Sequence, residues 1–110
     1  MSKSIAQWQT DVHALAVKKG WYNQERDPLG LICLVHSELS EAVEEWRRTG
    51  DTNYILEDCR KPVGFPIEIA DAVIRILSMC EHFGIDLESA MERKHEYNKT
   101  RPYRHGDKLA

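Results

Sequence analysis

Apolar residues return every three or four positions along most of this 110-residue chain, the spacing that lines one face of a helix. The pattern predicts four helices. The first opens at Ser4, with Gln7 three residues on to complete a capping box. It carries Ile5, Trp8, Val12, Leu15 and Ala16 on one face and closes at Gly20. The second starts at Asp27-Pro28, an N-cap followed by proline at the first helical position, and runs to about Arg48 before Thr49-Gly50. The third starts near Pro66 and ends at Gly84. The fourth opens at Asp86 and runs to about Arg101, where Pro102 stops it. Between the second and third helices, residues 51–65 contain Pro62 and Gly64 and one apolar patch, Tyr54-Ile55-Leu56. They read as a long loop with one helical turn, and no strand alternation is visible. Residues 102–110 read as a polar, extended tail.

The third helix departs from simple amphipathicity. At 100° per residue, Ile67, Ile69, Ala70, Ala72, Val73, Ile74, Ile76, Leu77, Met79 and Cys80 cover nearly its whole circumference. One narrow stripe holds Glu68, Asp71, Arg75, Ser78 and His82. So apolar a helix is expected to be surrounded by others, and three partners in so short a chain cannot enclose it. Homo-oligomerisation is the expected supplement. The length suits one all-α domain over residues 1–110.

Composition narrows the function classes. A net charge of −3 gives no general footprint for nucleic acid or an anionic membrane. No apolar run approaches a membrane span, and the N-terminus leads into a mixed polar helix, not a signal peptide's apolar core. Cys33, Cys59 and Cys80 are odd in number and widely spaced, so they read as small hydrophobes in a reducing, cytoplasmic setting.

Two carboxylate pairs carry the candidate chemistry. Glu38 and Glu41 lie three apart on the second helix, with Glu45 further along the same stripe; Glu68 and Asp71 lie three apart on the third. Residues at i and i+3 share a face, so antiparallel packing would turn four carboxylates toward one groove. A Glu-x-x-Glu pair is common on solvated faces, whereas Glu68 and Asp71 interrupt an apolar helix, with Arg75 as the alternative ion-pair partner. Four oxygen donors suit a hard cation, which would offset their repulsion. On the fourth helix Lys94, Asn98 and Arg101 fall on one face and suit phosphate oxygens, or else serve as the basic end of a helix. Trp8 and Trp46 fall within apolar arcs and are expected in the core. Trp21, beside Tyr22 after the helix-ending Gly20, is the base-stacking candidate. His13 and His36 are expected at the edge of the core.

The segments His36-Ser37-Glu38-Leu39-Ser40-Glu41-Ala42 and Glu68-Ile69-Ala70-Asp71-Ala72-Val73, followed by Lys94-His95-Glu96-Tyr97-Asn98-Lys99-Thr100-Arg101-Pro102, resemble the MazG-like, all-α NTP pyrophosphatase superfamily. The resemblance covers about residues 29–106. It implies a four-helix bundle completed as a homodimer or homotetramer. It also implies Mg²⁺, or Mn²⁺, held by Glu38, Glu41, Glu68 and Asp71, with Glu38 or Glu41 as the catalytic base. Lys94, Asn98 and Arg101 would face the phosphates. The implied reaction is cleavage of a nucleoside triphosphate, (d)NTP, to the monophosphate and pyrophosphate, in nucleotide-pool control. Ser37 and Ile67 stand where many relatives carry further acids, which implies fewer bound ions. The alternatives are a non-catalytic helical oligomer and a phosphoribosyl-ATP pyrophosphohydrolase of the same superfamily.

Overall fold

A computed structural model describes residues 2–58 and 61–104, the Asp58 side chain excepted. Cys59 and tail residues 105–110 lie outside the described residues. Helices α1 (Ile5–Lys18), α2 (Pro28–Thr49), α3 (Phe65–His82) and α4 (Leu87–Lys99) are joined by a hairpin, β1 (Leu56–Asp58) and β2 (Lys61–Val63), between α2 and α3. No helix among the described residues is long and apolar enough to cross a membrane.

The helix ends follow the local chemistry of the chain. Ser4 Oγ accepts from Gln7 N at 3.1 Å, and Ser4 N donates to Gln7 Oε1 at 2.6 Å, the two halves of the capping box. Asp27 caps α2 through Gly30 N at 2.9 Å, and Asp86 caps α4 through Ser89 N at 3.1 Å. Each such cap contributes about 1 kcal/mol. Gly50 ends α2 in the left-handed region at φ 64°, its N–H donating to Trp46 O at 2.8 Å.

The expected loop over 51–65 is in part a β-hairpin. β1 and β2 pair antiparallel, with Leu56 opposite Val63, Glu57 opposite Pro62 and Asp58 opposite Lys61. Three residues per strand are too few for a period-2 pattern to register. Proline, which argues against a central strand, is tolerated in a two-stranded ribbon because both strands are edges. At the exit, Gly64 has φ 135°, and a Cβ there would lie 2.1 Å from the Tyr54 carbonyl oxygen. Only glycine allows the chain to cross itself here and enter α3.

α3 packs along α2 on one side and α1 on the other; Ala72, Leu77, Ser78 and Cys80 of α3 and Leu31, Val35 and Ala42 of α2 are buried. As expected, the other helices of a single chain do not fully enclose α3. Val73 and Ile74 remain 47% and 41% exposed, because α1 and α2 flank only part of the circumference and α4 packs against α1. Gln9, itself buried, makes that last connection. Its Nε2 donates to Ile85 O at 2.9 Å and its Oε1 accepts from Leu87 N at 3.3 Å, pinning the α3–α4 turn to α1.

No large side chain among the described residues is completely enclosed. On the outer side of α2, Leu29, Ile32, His36, Leu39, Val43 and Trp46 are all exposed. Their alternating three- and four-residue spacing is that of a heptad seam. Trp46 is therefore a surface residue, not a core one, and His36 is exposed as well. Cys80 is buried, as expected of a small hydrophobe, whereas Cys33 is exposed.

Candidate functional site: an acidic cluster at an aromatic cleft

The inward face of α2 runs Leu31, Val35, Glu38, Ala42, Glu45, with Glu38 set between buried apolar neighbours. Glu68 and Asp71 face it from the polar stripe of α3. Glu38, Glu68 and Asp71 each offer a carboxylate oxygen, and the three oxygens lie within 4.8 Å of one another. Glu41 is exposed and stands outside this trio, yet its charge still acts on Glu68.

The electrostatics record the crowding. Glu68 is pushed up to about 6, first by desolvation, then by the charges of Asp71 and Glu38, a hydrogen bond with Glu38, and the charge of Glu41. Asp71 is also raised, by desolvation and by Glu38, while Arg75 and Lys61 act in the opposite direction. Arg75 does not take Asp71 as its hydrogen-bond partner. Its Nε instead donates to Glu38 Oε1 at 2.9 Å, tying α3 to α2. Lys61, brought up by β2, is a basic neighbour that sequence spacing could not reveal.

Beside the acids lies a cleft of about 450 Å³ between α1, α2 and α3. Glu38, Asp71 and Arg75 line it together with Trp8, Trp21, Tyr22, Leu31, Ile74 and Ser78, and the basic side chains of Lys19 and Arg26. Trp21, the base-stacking candidate, is thus one of the cleft's lining residues. Trp8 is not in the core: it is 44% exposed and forms part of the cleft, because α1 has no helix to cover that side. The Arg75 guanidinium sits 5.5 Å from the centroid of Trp21, and that of Arg26 lies 5.9 Å from Tyr22.

A polar network supports the cleft. Buried Ser78 Oγ is hydrogen-bonded to His13 Nδ1 at 2.9 Å and to the Tyr22 hydroxyl at 3.2 Å, and the His82 ring lies tilted against Tyr22 with centroids 4.5 Å apart. Burial and the neighbouring His82 lower the pKa of His13, with Glu81 opposing. His13 is the satisfied core-edge histidine expected of it.

Lys94, Asn98 and Arg101 are not brought to this site. They lie on or just beyond α4, none of them lines the cleft, and α4 buries no residue. Lys94 and Arg101 instead lie 4.9 and 5.9 Å from the ring of Tyr97. A shared helical face made these residues look like one unit, but it carried no information about where α4 would dock. Comparison with protein families, curated proteins and solved structures finds no match to this chain.

Proposed function

We propose that the chain is a divalent-cation-dependent nucleoside-triphosphate pyrophosphohydrolase. The observation that carries this reading is the convergence of Glu38, Glu68 and Asp71 at one side of a cleft lined by Trp8, Trp21 and Tyr22. A nucleotide has the same two ends, a polyanion that needs a cation and an aromatic base that needs a stacking surface.

The donor set fits Mg²⁺ or Mn²⁺. Carboxylate oxygens are the preferred ligands, and two ligands across an octahedral Mg²⁺ are about 4.2 Å apart at roughly 2.1 Å each. Of three ligands on one such ion at most one pair is trans and the others lie cis at about 3.0 Å, so oxygens within 4.8 Å of one another would have to draw in by up to about 2 Å to share it. A cation bound there would neutralise phosphate charge and lower the pKa of an attacking water. With Glu38, Glu68 and Asp71 taken up by the cation, exposed Glu41, whose charge reaches Glu68, would be the carboxylate that accepts that water's proton. Trp21 would stack the base and hold the triphosphate across the acids.

The reading includes self-association, as a homodimer or a tetramer. The exposed heptad seam of α2 supports it, since such a stripe is costly to leave in water. Lys94, Asn98 and Arg101 would then meet phosphates only if a second copy carries α4 to the cleft.

The test is pyrophosphate release from a panel of NTPs, dNTPs and phosphoribosyl-ATP, with Mg²⁺ and with chelator. Cation-dependent release that falls at least about a hundredfold in Asp71→Asn, with the fold intact by circular dichroism, is the expected result. Wild-type protein that releases no pyrophosphate from any of them would leave a non-catalytic helical oligomer as the better reading.

A further inference from the structure

Arg75 stands at the junction of the two halves of the site. Glu68, Asp71 and Arg75 occupy one stripe of α3, so the arginine emerges one turn beyond the acids and on the cleft side of them. Its Nε is hydrogen-bonded to Glu38 Oε1 at 2.9 Å, while its guanidinium lies 5.5 Å from the Trp21 ring. A chain of phosphates running from a base on Trp21 to a cation at Glu38, Glu68 and Asp71 would have to pass it.

We infer that Arg75 is the phosphate-binding cation of the cleft, held on Glu38 until a divalent cation and a nucleoside triphosphate enter together. The inference rests on the function proposed above and deepens it. Three observations support it. First, a guanidinium carries five N–H donors, and among the described residues Arg75 uses only Nε, leaving its terminal nitrogens for the cleft that it lines. Secondly, its side chain is 30% exposed against 15% for Glu38, so it can turn into the cleft while the carboxylate stays in place. Thirdly, the charges alternate. With no cation present, Arg75 offsets the negative charge of Glu38. A bound dication takes over that task and repels a guanidinium on the same carboxylate, and the phosphate oxygens then offer the arginine a bidentate partner. Arg26, the other cleft guanidinium, donates one terminal nitrogen to the Trp21 carbonyl at 2.8 Å and, among the described residues, forms no ion pair with the acids as Arg75 does.

The competing reading is a structural tie between α2 and α3, and the two differ in the sign of one effect. Arg75→Gln removes the charge and keeps an amide. Mn²⁺ binding without nucleotide, followed by calorimetry, should become at least about threefold tighter, because the competitor for Glu38 is gone. Binding of a non-hydrolysable α,β-methylene triphosphate at saturating Mg²⁺ should become at least about tenfold weaker. Arg75→Lys keeps the charge but loses the fork. It should bind Mn²⁺ as the wild type does and the analogue about threefold less tightly, and it serves as the test should the glutamine variant not fold. Mn²⁺ and analogue affinities that weaken together, or analogue affinity in both variants equal to wild type, would make Arg75 a structural tie and overturn the inference alone. Wild-type protein that binds neither Mn²⁺ nor analogue would remove the proposed function and this inference with it.

Discussion

Replacing Glu68 with Gln keeps the shape of the side chain and removes one of the crowded charges. The folded protein holds the Glu68 proton more tightly than an unfolded chain would, with the pKa raised from 4.5 to about 6. The native state therefore binds the extra proton between these values, and stability falls as pH rises through them. The contribution of Glu68 is fully present below about pH 4.5 and lost above about pH 6. At ~1.36 kcal/mol per pH unit, the rise sets a ceiling of about 2 kcal/mol. Glu68 is only partly buried, and solvent screening reduces the expectation to about 1 kcal/mol. In chelator at pH 8, Glu68→Gln should thus be more stable than wild type by about 1 kcal/mol, or about 4 °C in melting temperature. The difference should close as pH falls to about 4.5. Urea denaturation at pH 4.5, 6 and 8 reads it directly. Saturating Mg²⁺ should reverse the order at pH 8, because a ligand that binds only the native wild type stabilises it by mass action. A variant no more stable than wild type in chelator at pH 8, or a difference that does not vary with pH, would refute the account of crowded carboxylates.

Two other outcomes follow from the cleft and from α4. Trp21 is 53% exposed, so Trp21→Ala should change stability little while raising KM for a triphosphate about tenfold, as measured by steady-state pyrophosphate release. Lys94→Met should change stability by less than about 1 kcal/mol. Under the proposed self-association, with α4 of a second copy at the cleft, Lys94→Met should lower catalytic efficiency at least about tenfold at concentrations where sedimentation shows a dimer or larger species. Unchanged kinetics there would assign the basic face of α4 to solvent, and a stable monomer at micromolar concentration would refute the proposed self-association.

Much of the fold was legible because its signals are local. Ser4 with Gln7, Asp27 with Pro28, Gly50 and Asp86 set helix ends through hydrogen bonds to residues three or four positions away. A sequence window contains all the partners of such interactions. Two i, i+3 pairs on long helices were expected to bring four carboxylates together; Glu38, Glu68 and Asp71 converge, and Glu41 stands outside the trio. Other features depended on partners distant in sequence. Trp8 lies on the apolar face of α1, but whether that face meets a helix or an open cleft is decided by where α4 docks, through Gln9 and Ile85. The hairpin before α3 has strands too short to show periodicity, and it depends on Gly64 passing against Tyr54. Arg75 lies four residues from Asp71 in sequence, yet it bonds Glu38, because the packing of α2 against α3 places that carboxylate within hydrogen-bond reach of its Nε. Spacing along the chain determined which residues share a face; only the packing of α1, α2 and α3 decided which of those faces enclose the acids and which open onto the cleft.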